Sequence, residues 1–327
     1  MTVMKKIISV LCVLLLVFSF TACNGGVGGK NDGKIKIVCA VFPLYDWVKQ
    51  IAGDSADVEL LVDNGADIHS YQPSAADIIS VSTCDLFIYI GGTSDVWVSN
   101  ILKNSANGNC RIINIMELLS DRVLPADTHG DDGHGDDHDE SCDHSHDSAY
   151  DEHVWLSLKN AMSVCDEISR VLGEIDSENA ESYSKNAREY CGKLASLDAE
   201  YESVVLHGAK DTVLFGDRFP FKYLFNDYSL KYYAAFPGCS SETDASFETI
   251  ISLAQTMDRL SLTAVLVTES SDGEVAGAIA ESTNNASDKR ILTMDSLQSV
   301  TQKQINGGKN YIDTMRANLE VLREALK

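Results

Sequence analysis

Residues 34–52 read KIKIVCAVFPLYDWVKQIA, and a change of period inside this stretch decides the fold. Apart from Lys34 and Lys36, its first eight residues are β-branched and other apolar side chains, the composition of a strand. From Phe42 the apolar positions take helical spacing, with Leu44, Trp47, Val48 and Ile51 on one face. The same rhythm repeats outward. Residues 58–62, 86–90 and 111–115 read as strands, a helix opens at Pro73, where proline suits a first turn, and another covers 96–102. Further along, 212–215, 231–236, 263–268 and 290–294 read as strands, with helices over 246–260, 273–284 and 311–326. Strands alternating with helices imply parallel pairing through crossovers, hence an α/β class. Between the two blocks, Tyr183, Ala187, Tyr190, Leu194, Leu197, Tyr201 and Val204 recur every three or four residues. That stripe predicts one helix over 177–207, a rod of about 45 Å at 1.5 Å per residue. A rod of this length joins two lobes and leaves a cleft between the carboxyl ends of their sheets, where open α/β sheets bind ligands.

The 327 residues suffice for two domains, and 44% apolar with 23% charged residues is ordinary for a globular chain. Against 49 Asp and Glu stand 26 Lys and Arg, a net charge of −23. Phosphate binding needs clustered cations, so nucleic acid is not expected as a partner, and cations are the natural ligands. Lys5 and Lys6 precede an apolar run over 7–20, too short to span a bilayer comfortably and suited to a signal peptide. The run ends in Phe20-Thr21-Ala22-Cys23, which resembles the lipobox of bacterial lipoproteins, with Cys23 as the lipidated residue. The expected layout is a signal peptide over 1–22 and a lipidated, flexible tether over 23–33. An N-terminal lobe over 34–156, a helical linker over 157–208 and a C-terminal lobe over 209–327 follow.

The nine cysteines show no CxxC spacing, so neither a disulfide framework nor a zinc ribbon is read from them. Residues 127–152 break the α/β rhythm with eleven Asp or Glu, five His and no Lys or Arg. Such sequence cannot bury a core and is expected to be a surface insertion. His129, His134, His138, His144 and His146 alternate there with carboxylates, a pattern that captures borderline cations weakly.

Three further residues fall where strands end and chemistry gathers. His69 sits between a strand and a helix start, His153 where the insertion returns to apolar sequence, and Asp295 directly after a strand. Two imidazoles and a carboxylate suit Zn²⁺ or Mn²⁺.

The motifs around these residues resemble those of a known family. Gly65-Ala66-Asp67-Ile68-His69-Ser70-Tyr71-Gln72-Pro73-Ser74 is similar to the first metal-binding motif of the zinc and manganese solute-binding lipoproteins of ABC importers, and Glu152-His153-Val154-Trp155-Leu156-Ser157 is similar to the second. The acidic, His-rich insertion resembles the loop of the zinc-specific, ZnuA-like branch. The resemblance spans about residues 34–327. It implies two lobes with parallel four-stranded sheets flanked by helices, a long rigid linking helix, and one metal in the inter-lobe cleft. By position it makes His69, His153 and Asp295 ligands. The family's third ligand, a His or Glu, aligns with Arg218, whose guanidinium has only donors and cannot coordinate a cation. Asp217, Glu242, a loop His or water then remain to complete the shell.

The implied function is capture of extracellular Zn²⁺ and delivery to the ABC permease of a metal importer. A monomer anchored through lipid on the outer face of the cytoplasmic membrane is expected, on the periplasmic side where an outer membrane exists. Mn²⁺ uptake, a buffering or sensing lipoprotein and a zinc metalloenzyme are the alternatives. Enzyme chemistry is not expected, because the chain has no H-E-x-x-H, G-x-S-x-G or phosphate-binding glycine loop.

Overall fold

A strand over Ile35–Cys39 (β1) runs into a helix over Phe42–Ala52 (α1), the unit expected from residues 34–52. Pro43 occupies the first turn of α1, where its missing N–H costs no bond, and Leu44, Trp47, Val48 and Ile51 turn inward. The computed structural model describes residues 34–63, 65, 68–103, 107–126, 150–236, 238 and 245–327. The leader over 1–22, Cys23 and its tether lie outside the described residues, as do the five insertion histidines and Glu242.

The N-terminal lobe continues with β2 (Ala56–Leu60), α2 (Ala75–Thr83), β3 (Leu86–Tyr89), α3 (Val98–Leu102), β4 (Arg111–Asn114) and α4 (Ile115–Leu118). The strands are all parallel, in the order β2-β1-β3-β4. β2 starts and ends two residues earlier than the apolar run 58–62 suggests. The apolar character carries on through Leu61 and Val62, whose amides still donate to the carbonyls of Cys39 and Ala40 beyond the strand's end. Ser74 caps α2, its hydroxyl accepting from the Asp77 amide while the Asp77 carboxylate accepts from the Ser74 amide.

Two helices follow, α5 (Leu158–Ile175) and α6 (Ala180–His207). The 28 residues of α6 make a rod of about 42 Å. The apolar stripe read from the sequence is its buried face: Tyr183, Ala187, Tyr190, Leu194, Leu197, Tyr201 and Val204.

The second lobe repeats the first lobe's topology. It comprises β5 (Thr212–Phe215), α7 (Lys222–Asp227), β6 (Lys231–Ala234), α8 (Phe247–Leu260), β7 (Ala264–Thr268), α9 (Glu274–Glu281), β8 (Arg290–Met294), α10 (Gln302–Asn306) and α11 (Tyr311–Ala325). Its parallel order, β6-β5-β7-β8, matches that of the first sheet position for position.

α6 holds both lobes. Its first half grips the N-terminal lobe, where the Asn186 amide donates to the Ile51 carbonyl at 2.9 Å and the Tyr190 hydroxyl to Asp46 at 3.3 Å. Its second half grips the other, where the Tyr201 hydroxyl donates to the Met315 carbonyl at 2.6 Å and Glu200 pairs with Arg316. Asp46 on α1 also accepts the Tyr311 amide at the start of α11, at 3.1 Å. One buried carboxylate thus binds α1, α6 and α11 together. Burial pushes its pKa up, against the lowering by these hydrogen bonds.

Candidate metal centre

Among the described residues, His69 follows β2, Asp217 and Arg218 follow β5, and Asp295 follows β8, all beyond the carboxyl ends of strands, the side on which α/β folds open their crevices. His69 lies on a single helical turn, Ile68–Ser70, in the loop after β2. His153 immediately precedes the turn Val154–Leu156 and is 2% exposed. The two rings come together edge to face, with centroids 5.4 Å apart.

Their orientation is set by oxygen partners. Asp151 accepts both the His153 amide and its Nδ1–H at 2.9 Å, which fixes the ring and leaves Nε2 as the nitrogen with a lone pair. Burial works to raise the Asp151 pKa, but the His153 ring and amide outweigh it and hold the carboxyl below its ordinary value. His69 Nδ1 shares a 2.7 Å hydrogen bond with the Ser94 hydroxyl. Ser94 is in turn positioned by Glu152, whose Oε1 accepts from the Thr93 amide at 2.5 Å, the Thr93 hydroxyl at 2.7 Å and the Ser94 amide at 3.1 Å. Gly92, at φ +84°, allows this approach; a Cβ there would lie 2.5 Å from Glu152 Oε1.

The second oxygen of Glu152 is different. The side chain is 4% exposed, yet Oε2 accepts no hydrogen bond among the described residues and faces His69 Nδ1 across 3.8 Å. A buried carboxylate oxygen without a donor is costly and calls for a positive neighbour. Asp95 adds to the same field, its pKa raised to about 6 by burial and by repulsion from Glu152. A divalent cation beside the two imidazoles would supply that positive neighbour, and imidazole nitrogens are ligands that zinc accepts.

The expected trio of His69, His153 and Asp295 is not assembled. Among the described residues no group of three or more His, Cys, Asp or Glu is arranged to hold a metal ion. The reason is visible at Asp295, where Oδ2 is paired with the Lys309 ammonium and Oδ1 accepts the Leu297 amide at 2.9 Å. The Asp295 carboxylate is thus already paired with a cation of the chain itself. The His153 turn is nonetheless tied to this loop, since Trp155 Nε1 donates to the Ser296 carbonyl at 3.0 Å. Glu269 closes the far side, accepting the Ser296 amide and hydroxyl, with its pKa raised by burial and by Asp295. Replacing Lys309 by methionine should release Asp295 and tighten zinc binding about tenfold, the ~1.4 kcal/mol of a partly buried ion pair. An unchanged affinity in a chelator competition would show that Asp295 takes no part.

Asp217 and Arg218 follow β5. The Asp217 carboxylate is spent on its surroundings, accepting the Arg218 amide at 2.7 Å and the Thr268 amide at 2.9 Å. It is not drawn toward the histidines. Arg218 lines a small cavity of about 20 Å³ with Pro220, Thr268, Ser270, Ser296, Gln298 and Ser299, room for one water. Glu152, Ser94 and Lys309 were not singled out from the sequence. Glu152 opens the second motif there without a role of its own, and the other two reach the site only through tertiary contacts.

The family model described as zinc-uptake complex component A, periplasmic, matches residues 37–325. The chain belongs to this family. The zinc-binding lipoprotein AdcA of Streptococcus pneumoniae (strain ATCC BAA-255 / R6) is 30% identical over 327 residues, covering 98% of this chain and 61% of AdcA. The chain therefore spans about three-fifths of the length of such relatives. The high-affinity zinc uptake system protein ZnuA of Bacillus subtilis (strain 168) is 26% identical over 315 residues, covering 96% of this chain and 95% of ZnuA. The crystal structure of the Zn(II)-bound ZnuA-like domain of S. pneumoniae AdcA superposes with a TM-score of 0.70 at 26% identity, covering 90% of this chain and 99% of that domain.

Proposed function

We propose that this member of the zinc-uptake family captures Zn²⁺ outside the cell and hands it to the permease of an ABC importer, and that it is not an enzyme. The observation that carries this reading is the buried, donorless oxygen of Glu152 beside the paired rings of His69 and His153. Such a site is built for a cation, and two imidazoles suit zinc. The relatives named for zinc binding and zinc uptake support the same cargo. His69 and His153 are proposed as ligands, with Asp295 joining if Lys309 gives it up. Arg218, which the resemblance aligns with the third ligand, offers no lone pair to a metal. A single chain anchored through Cys23 on the outer face of the membrane completes the proposal.

The His-rich insertion is proposed as an auxiliary collector. Its ends are fastened side by side, with Pro125 bridged to Tyr150 and the Asp151 amide donating to the Leu124 carbonyl at 2.9 Å. A short Gly-Ser turn can therefore replace 127–149 without moving His153. In competition titrations with a zinc chelator, the intact chain should bind one ion tightly and several weakly. The shortened chain should keep the tight ion, lose the weak ones and melt within about 2 °C of the intact metal-free protein. Absence of any tight ion in both proteins would refute the function, and unchanged weak binding would refute the collector.

A further inference from the structure

At the edge of the N-terminal sheet opposite His69, two thiols face each other. Cys84 ends α2, Cys110 immediately precedes β4, and their Sγ atoms lie 3.5 Å apart. The strand register produces this meeting. Leu86 pairs with Arg111, and the Arg111 amide donates to the Asp85 carbonyl at 2.9 Å, so both cysteines stand at the amino ends of neighbouring parallel strands. Neighbouring strands are about 4.8 Å apart, and an offset of one residue adds about 3.3 Å along the strand. The two Cα atoms then fall about 6 Å apart, within the roughly 4.4–6.8 Å that a disulfide tolerates. Asn107 braces the turn, its Nδ2 donating to the Cys84 carbonyl at 2.8 Å and its Oδ1 accepting the Asn109 amide at 3.0 Å.

The two thiols are not equivalent. Cys84 is 1% exposed, whereas Cys110 is partly open to solvent. The hydrogen bond between them, aided by burial, pushes the Cys84 thiol up, and the same bond pulls Cys110 below its ordinary value. An accessible, more acidic sulfur beside a buried one is an attacking thiol next to its resolving partner.

We infer that Cys84 and Cys110 form a dithiol site that a low-molecular-weight disulfide oxidises to an intramolecular disulfide, tying α2 to the edge strand β4 without touching the cleft. In the first step the Cys110 thiolate attacks one sulfur of the oxidant. A mixed disulfide forms, the oxidant's S–S bond breaks, and one small thiolate leaves. The Cys84 sulfur then attacks Cys110 Sγ and expels the second small thiolate. Each leaving thiolate takes up a proton given up by a cysteine, so two electrons pass from the protein to the oxidant. The new bond closes a loop between residues 26 apart, which restricts the unfolded chain.

The reduced, purified chain exposed to oxidised glutathione should lose thiols first at Cys84 and Cys110, as read by differential alkylation and peptide mass mapping. Its melting temperature should rise by about 5 °C. A Cys84→Ser variant should stop at a mixed disulfide with glutathione on Cys110. Zinc titrations of the reduced and oxidised protein should coincide. Full alkylation of both cysteines after oxidant treatment, or earlier crosslinking through Cys39, Cys165 or Cys191, would overturn the inference. So would a zinc affinity that changes on oxidation, or protection of the pair by zinc, since either would attach the thiols to a metal.

Discussion

Glu152→Gln should move metal affinity and metal-free stability in opposite directions. The amide can keep an oxygen toward the Thr93 and Ser94 donors, so the loop that positions His69 stays in place. It replaces the donorless, charged oxygen beside His69 with a neutral NH₂ group. Removing a buried charge that is hydrogen-bonded through only one of its two oxygens should raise the melting temperature of the metal-free protein by a few degrees. The same change removes the anion that offsets the cation, and zinc affinity should fall about 10- to 100-fold, the usual cost of losing a supporting anion at a metal site. Calorimetry and chelator competition on one preparation read both effects. A variant that loses stability along with affinity would make Glu152 a structural clamp only.

His153→Ala should cost more affinity, at least a hundredfold, because it deletes a donor nitrogen. It also leaves the Asp151 carboxylate, which is 5% exposed, with the amide of residue 153 but without the ring. Losing one charge-assisted hydrogen bond to a buried carboxylate costs about 1.5–3 kcal/mol, so this variant should also melt a few degrees lower. Asp151→Asn separates the two effects. It leaves the imidazole in place and should weaken zinc only about 10- to 100-fold. Equal losses of zinc affinity in the two variants, with equal falls in melting temperature, would point to collapse of the turn instead of loss of a ligand.

The architecture was legible because period and punctuation were strong. α1 falls on the residues where the spacing of Leu44, Trp47, Val48 and Ile51 places it, and β5 and β8 match their apolar runs. Within residues 157–208 only the second helix stood out, although Leu158, Ala161, Val164, Cys165, Ile168 and Leu172 form the buried face of α5. Four polar or charged residues in its opening turns and the turn after Ile175 blur its period beside the longer stripe of Tyr183 to Val204. The site was legible in part. His69 and His153 do meet, although only His69 follows a strand and His153 arrives from the insertion just past the Pro125–Tyr150 bridge; the partner of Asp295 could not be read. Lys309 lies 14 residues away and reaches Asp295 only because the chain folds back between α10 and α11. Glu152 was quoted as the first residue of the second motif, but nothing in the sequence marks that one of its oxygens is buried without a donor.

The carboxylate of Asp46 has a thermodynamic consequence for the molecule as a whole. Chains with two separate sheets commonly melt in two steps, each half losing its packing independently. Here α6 is bonded along its length to both halves, and Asp46 ties the first helix of one half to the last helix of the other. Neither sheet can lose its helices without stripping the other of buried hydrogen bonds. Heat should therefore meet one cooperative unit, with calorimetric and van't Hoff enthalpies that agree.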